Sequence, residues 1–531
     1  MLTEDKYFQT LTQDQVWQRY CGFLKLSIDD FMDIQKELLM DEVERVADST
    51  LGKKIMGSQK PTSVDEFRRM VPLTLYQDYE PYLTEQRDDA LAQKPDLWCQ
   101  SAGRGGYPKW IPYTVEYFEK VIRNWLGSFI LASSRKEGQV NIGPGLRLLA
   151  VLPPPPYPSG STLAAMPQYF SFQAIPPLEG AAKADFQERM RKGLEIALRD
   201  GVDIASALGS IMVRIGEGFS GQTRSMGFAP YMLHPRVIYR VLRGKLRSRR
   251  EKRTMLPKDL WPVKGIVTGG VDTAIYKDAI SHYWGIEPYE FYVATETAIA
   301  AMQGWNKKAM TFCPDNVFLE FIPEQERLKS KDEEGYQPST VLFNELEEGN
   351  LYELVITQFY GMPLLRYRMN DLFEVVALRD DETGVSLPQL VFQRRVADLI
   401  DLAGLATLDE KTIWRAIANT GIKYTEWSAC KEYDQNQSFL RLYLELSEER
   451  EAGEIEHMID EQLKAVDSDY RDIDYYLEVQ PVRVTLLAPG TFQRYMSEKA
   501  KEGADLAHLK PPHINPPEEV IQRVLQLSQS R

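Results

Sequence analysis

Apolar residues recur at three- and four-residue spacing over Trp17–Leu26 and Phe31–Val46, which predicts two amphipathic helices early in the chain. Residues 1–95 read as largely helical, and Ser63-x-x-Glu66 has the form of a capping box opening a short helix that stops at Pro72. Val115–Leu131 returns to helical spacing. Leu146–Leu152 is nearly all apolar, broken only by Arg147, and predicts a buried strand ended by Pro153–Pro156. The Pro/Gly/Ser stretch to Thr162 reads as a surface loop, and helices are expected to fill 181–250. Strand and helix then alternate: strand Lys264–Thr268, helix Asp278–Tyr283, strand Glu290–Ala294, and a further element over Thr297–Gln303, read as a helix that Thr295 caps.

Phe318–Ile322 and Gln389–Gln393 add strands around the most strand-like stretch, Leu351–Val375. There Leu351–Phe359 is rich in β-branched and aromatic residues, Gly361-Met362-Pro363 supplies a turn, and Leu364–Arg368 is the return strand. Asn370-Asp371 reads as a second turn before a third strand, Leu372–Val376. From about residue 398 the chain has the pattern of a smaller α+β unit, with helices expected over 411–419, 455–466, 492–502 and 518–527 and strands over 438–446 and 475–487. The expected fold class is therefore α/β, mixed with α+β, in two domains at 1–395 and 396–531.

Composition narrows the partners. A chain of 531 residues exceeds one hydrophobic core, and 43% hydrophobic with 26% charged residues is ordinary for a soluble protein. The net charge of −14 argues against nucleic acid, whose affinity rests on Lys and Arg releasing counterions. One run, Arg240–Arg253 (RVLRGKLRSRREKR), opposes the global sign and reads as a solvated helix face. The four cysteines have no pairing or metal-ligand spacing, which is the usage of a reducing compartment. The first residues lack signal-peptide character, and no stretch reaches the roughly 18–20 apolar residues that span a bilayer. A cytoplasmic protein without nucleic-acid or membrane partners is expected, a monomer rather than an obligate oligomer.

Three stretches carry candidate chemistry. Gln100–Pro112 is glycine-rich, so backbone N–H groups could approach phosphate, with Ser101, Arg104 and Lys109 as further donors. It is not the GxxxxGK[ST] loop of P-loop NTPases. In Tyr292-Val293-Ala294-Thr295-Glu296-Thr297, Thr295 and Glu296 read either as an ordinary helix start or as groups for a phosphate and a hard cation. Asp371 reads either as a turn residue or as a carboxylate accepting from two vicinal ribose hydroxyls. The five histidines lack helical metal spacing, no GxSxG elbow occurs, and no cysteine has a catalytic setting.

The order of these signals resembles the adenylate-forming superfamily, and within it the auxin-responsive Gretchen-Hagen family of acyl-acid amido synthetases and its bacterial relatives. The likeness rests on FRRMVPLTLYQDYEPYL (67–83), WPVKGIVTGG (261–270), FLEFIP (318–323), GNLYELVITQFYGMPLLRYRMNDLFEV (349–375) and LLAPGTFQRYMSEKAKEGADLAHLKPPHI (486–514). It implies a large N-terminal domain of sheets flanked by helices and a small mobile C-terminal domain. It also implies ATP and Mg²⁺ as reactants, a small carboxylic acid activated as its adenylate, and an amino acid as acceptor. Carried over, Ser101, Gly103, Arg104 and Lys109 belong to the phosphate loop, and Tyr292 and Thr295 to the nucleotide site. Glu296 falls to Mg²⁺, Asp371 to the ribose, Arg395 to the nucleotide near the hinge, Asp398 to the hinge, and Lys510 to the α-phosphate. The acyl pocket is expected among the helices of the large domain and the loops after 152 and 268.

Two places depart from the family. The loop reads Ser101-Ala102-Gly103-Arg104 where Ser-Gly-Thr-Ser or Thr is usual, removing two hydroxyl donors that Arg104 could replace. Ala406 stands where a lysine is common, with Lys411 as a substitute only through a shift. Coenzyme A as acceptor and a nucleotide-binding protein with a weakened loop remain as alternatives.

Overall fold

The structure, a computed structural model, describes the chain apart from residues 1, 58, 102–108, 153–154, 179–185, 223–232, 270–272, 334, 396–398, 403–405, 435–436, 468–469, 472–480, 502–510 and 530–531, and apart from a few side chains inside elements, among them Arg394 and Arg395. It forms two compact units, one running to Gln393 and one from Arg394 onward.

The predicted early helices are present as Gln13–Cys21 and Ile28–Val46. Thr12 caps the first in a full capping box with Gln15. Ser63 accepts from the Glu66 amide as expected, but the Glu66 carboxylate returns to the Thr62 amide at 2.9 Å rather than to Ser63. Val115–Ser133 is one long buried helix.

The strands of the larger unit are β1 (Leu97–Gln100), β2 (Trp110–Tyr113), β3 (Leu146–Val151), β4 (Phe172–Ile175), β5 (Ile204–Ala207), β6 (Gly265–Gly269) and β7 (Tyr289–Ala294). They continue as β8 (Ala298–Gln303), β9 (Met310–Phe312), β10 (Val317–Pro323), β11 (Val341–Leu342), β12 (Leu351–Gln358), β13 (Tyr367–Ala377) and β14 (Gln389–Arg395). β1 and β2 form a separate hairpin, and the other twelve form one sheet in the order β11-β10-β12-β13-β14-β9-β8-β7-β6-β5-β3-β4. β4, β3, β5, β6 and β7 run parallel; β7-β8-β9 and β12-β13 are antiparallel.

Arg147 is tolerated inside buried β3 because its guanidinium is met by the Asp203 carboxylate, at 2.8 and 2.9 Å. The sheet curls strongly. β14 and β9 pair at one position, Leu390 with Met310. Tyr292 on β7 and Phe373 on β13 lie 4.9 Å apart between ring centroids. Those strands are four places apart in the order, which in a flat sheet would separate them by about 19 Å. Phe312 and Phe392 complete the aromatic cluster inside the curl.

Four sequence expectations are corrected. The stretch before Thr162 is not loop throughout: a helix spans Pro158–Ala165, with Pro158 at its first position where a missing N–H costs nothing. Residues 181–250 are not all helical, since β5 lies among the helices Phe186–Asp200, Gly209–Gln222 and Pro235–Arg250. All four β5 residues are buried, and so short an apolar run has no period to distinguish strand from helix. The segment after Glu296 is β8, not a helix. Its six residues are all buried in mid-sheet, which overrides the helix preference of an alanine-rich run. Finally, Leu364–Val376 is not two strands joined at Asn370-Asp371 but mainly the single strand β13, beginning at Tyr367.

The smaller unit holds the hairpin β15 (Leu399–Leu402) and β16 (Ala406–Asp409), and a three-stranded sheet of β17 (Tyr424–Asp434), β18 (Gln437–Leu446) and β19 (Val482–Leu487). The helices Glu410–Asn419, Ala452–Val466, Thr491–Lys501 and Glu518–Gln529 match the predicted ones closely. β15, β16 and β17 carry no mark in the sequence reading. Residues 472–480, within a predicted strand, lie outside the described residues.

Candidate active site

The hairpin β1-β2 brings the two ends of the glycine-rich loop together. Gln100 pairs with Trp110, the Ser101 amide donates to the Lys109 carbonyl at 2.9 Å, and the Lys109 amide donates to Ser101 Oγ at 3.2 Å. Gly103 and Arg104 lie outside the described residues. At the loop's exit the Lys109 ammonium donates to the Tyr367 hydroxyl at 3.0 Å and stands 4.0 Å from Glu296 Oε1. It also faces the rings of Tyr76 and Tyr367, at 5.5 and 5.7 Å from their centroids. The Lys109 side chain keeps 43% of its surface, so solvent or a ligand can reach it.

Thr295 and Glu296 form the tight connection between β7 and β8, at the carboxyl end of the last parallel strand. That edge is where open α/β sheets bind ligands. The connection is held from behind: Tyr113 donates to the Thr295 carbonyl at 2.7 Å, and the Gln358 amide nitrogen donates to the Glu296 carbonyl at 2.7 Å. Gln358 also receives the Leu364 amide at 3.0 Å, so one buried side chain joins this turn to the β12–β13 connection.

Asp371 occupies a bulge. Between the pairs Val355–Arg368 and Glu353–Leu372, β13 spends two more residues than β12, and Asn370 takes φ +56°. The bulge turns Asp371 inward. It is fully buried, and its carboxylate accepts the Tyr292 hydroxyl at 2.6 Å. Its expected place at an exposed strand end is therefore corrected: Asp371 sits mid-strand, against a tyrosine from the other side of the curl. The preceding arginines are braces, Arg366 buried and Arg368 partly buried. Arg368 pairs twice with Glu353 at 2.8 Å, and Arg366 meets Glu320 at 2.8 and 3.0 Å.

Thus Ser101 is hydrogen-bonded to Lys109, Lys109 reaches the Glu296 turn, β7 leads from that turn back to Tyr292, and Tyr292 meets Asp371. Arg395 ends β14 with its side chain outside the described residues, as are Asp398 and Lys510. Tyr113, Gln358 and Tyr367 escape the sequence reading. Tyr367 lies inside a quoted motif, yet only its meeting with Lys109 gives it a role. Ala406 is buried in β16 and Lys411 lies in the first turn of the helix Glu410–Asn419.

Residues 22–209 match the GH3 family N-terminal domain, 310–395 the GH3 family central domain and 411–519 the GH3 family C-terminal domain. Among curated relatives, the chain is 22% identical to a jasmonoyl–L-amino acid synthetase, GH3.5, of Oryza sativa subsp. japonica, over 50% of this chain and 48% of the relative. A probable indole-3-acetic acid-amido synthetase of the same plant is 24% identical over 48% of this chain and 44% of its own length. The chain thus spans about half the length of these two relatives. The jasmonoyl–L-amino acid synthetase JAR4 of Nicotiana attenuata is 21% identical over 90% of this chain and 92% of its own. Among solved structures, the acyl acid amido synthetase AtGH3.15 in complex with 2,4-DB superposes with a TM-score of 0.69, covering 98% of this chain and 97% of that one at 18% identity. A 2-hydroxyisobutyryl-CoA ligase in the postadenylation state gives 0.60, at 13% identity and 98% and 96% coverage. These two likenesses carry the fold. With the three domains matched in order along the chain, this protein belongs to the GH3 family.

Proposed function

We propose that this protein is an ATP-dependent acyl-acid amido synthetase. The observation that carries the reading is the meeting of Lys109 with Glu296 and Tyr367, at the exit of a glycine-rich loop and the end of a parallel strand. Family membership and the relatives' amido synthetase activities support it.

In the first step a carboxylate oxygen of a small acid attacks the α-phosphorus of ATP, and the bond to the β-phosphate oxygen breaks to release pyrophosphate. In the second, the neutral amine of an amino acid attacks the acyl carbonyl, the bond to AMP breaks, and the nitrogen gives up a proton. Lys109 supplies an exposed ammonium for phosphate oxygens, with Tyr367 and Glu296 fixing its position. Ser101, Gly103 and Arg104 are assigned to the phosphates, Thr295 and Arg395 to the nucleotide, Lys510 to the α-phosphate and Asp398 to the hinge. Asp371 is assigned to the ribose, with Tyr292 orienting its carboxylate; because Asp371 is covered, this role requires its cover to open.

Mg²⁺ commonly takes one or two carboxylates and completes its shell with substrate phosphates and water, so Glu296 alone fits it. Among the described residues no group of three or more His, Cys, Asp or Glu gathers. When bound there, the ion neutralises phosphate charge. The reading includes a cytoplasmic monomer.

ATP–pyrophosphate exchange over a broad panel of carboxylic acids tests the proposal, with Lys510→Ala as control. Acid-dependent exchange is expected and should fall in the variant. No exchange with any acid, together with no ATP binding by calorimetry, refutes it. Product masses after incubation with amino acids and with coenzyme A identify the acceptor.

A further inference from the structure

The helix Pro235–Arg250 has two opposed apolar faces, and only one is packed. Val237, Gly244 and Ser248 are buried toward the larger unit. On the opposite side Ile238, Tyr239, Leu242 and Leu246 are 42%, 66%, 56% and 60% exposed, and Leu233 just before the helix is 64% exposed. At about 100° per residue, Ile238, Leu242, Leu246 and Tyr239 fall within an arc of roughly 100° centred near Leu242. Lys245 borders the arc on one side and Arg236, Arg243 and Arg250 on the other, while Arg249 falls within it at its C-terminal end. The helix contains no acidic residue. Arg247 is occupied by Glu251 and Asp259, but among the described residues no carboxylate lies within ion-pair distance of Arg243, Lys245, Arg249 or Arg250.

We infer that this helix docks the protein on an anionic lipid surface, lying in the interface with Leu242 at the centre of the inserted face. This goes beyond the solvated face and the absence of membrane partners expected from the sequence, and it is independent of the proposed reaction. Leucines and a tyrosine aimed outward give a solvated surface nothing, whereas an apolar stripe flanked by cations is what the headgroup–acyl boundary accepts, at a depth of about 5–10 Å. The positive patch on a chain of net charge −14 is complementary to anionic headgroups. A convex helix face needs no groove in a bilayer. The same face of a second copy would oppose it with like charges. Docking of this kind needs no spanning segment, and among the described residues no helix is long and apolar enough to cross a membrane.

The test is flotation of the full chain with phosphatidylglycerol–phosphatidylcholine vesicles and with pure phosphatidylcholine vesicles, at low and at high salt. Co-flotation is expected with the anionic vesicles at low salt, weakening with salt and absent from phosphatidylcholine. Removing Arg243, Lys245 or Arg249 as alanine variants should weaken partitioning about fivefold each. Leu242→Glu with Leu246→Glu should abolish it without moving the thermal unfolding midpoint. Failure to float with anionic vesicles, or flotation unchanged by both sets of variants, overturns the inference. So does a concentration-dependent rise in mass that the leucine variants abolish in the absence of vesicle binding, which would assign the face to a second copy.

Discussion

The Lys109 ammonium has a hydroxyl at 3.0 Å and a carboxylate at 4.0 Å, so its position is set by two groups from distant parts of the chain. On the proposed chemistry, Lys109→Ala should lower kcat for pyrophosphate exchange by about 10²-fold, the usual cost of losing one donor to developing phosphate charge. Tyr367→Phe keeps the ring and removes only the hydroxyl; its effect should stay below about tenfold, with stability changed by about 1 kcal/mol at most. Kinetics of both variants against ATP concentration separate donor from orienter. A different residue governs pH dependence. Burial pushes the Glu42 carboxyl up to about 8 from 4.5, against the lowering effect of the Gly361 amide, which donates to it at 2.8 Å. The folded protein therefore holds a proton that the unfolded chain releases above pH 4.5. That contribution to stability is full below 4.5 and is lost as pH rises to about 8. Glu42→Gln should remove this slope, so the variant's melting temperature relative to the parent should climb between pH 5 and about 8; a constant difference across that range would contradict the assignment.

At the scale of elements, the bulge in β13 matters most to the site. Asn370 holds φ +56°, a conformation that costs most L-residues roughly 1–2 kcal/mol and that asparagine or glycine adopts more readily. Asn370→Gly should leave the melting temperature and ATP affinity near the parent's. Asn370→Val should lose about 1–2 kcal/mol and weaken ATP binding, because a relaxed bulge turns Asp371 away from Tyr292. Denaturant melts and calorimetry on the pair provide the check. The same elements mark how far the sequence could be read. Helices such as Val115–Ser133 and Ile28–Val46 declare themselves by a long 3.6-residue period. β5 and β8 do not, since IASA and AIAAMQ become strands only because neighbouring strands bury them on both sides. A turn and a bulge also have the same residue preferences, and Asn370-Asp371 satisfies either.

Across the whole molecule, each of the two units has its own hydrophobic cores, which predicts separately titratable stabilities. In the smaller unit His513 bridges Glu410 at 2.6 Å and Glu426 at 2.8 Å and stacks on Trp427, while residues 513–515 run beside β17. Burial lowers the imidazole's pKa, but the two carboxylates outweigh it and raise it from 6.5 to about 9. Its contribution is full below pH 6.5 and lost as pH rises through about 9. Calorimetry should resolve two transitions, with one falling over that range in the parent and becoming flat there in His513→Gln. Sequence alone determined the family, the order of its motifs, the long helices and the residue types offered to a nucleotide, because these depend on local periodicity and on side-chain chemistry. Tertiary structure decided which of those residues meet. Tyr292 and Asp371 are four strands apart in one sheet, and Lys109 and Tyr367 are 258 positions apart in the chain. Only the curl at the weak β14–β9 pairing and the closure of the β1–β2 hairpin bring them within hydrogen-bond reach, and neither has a local signature.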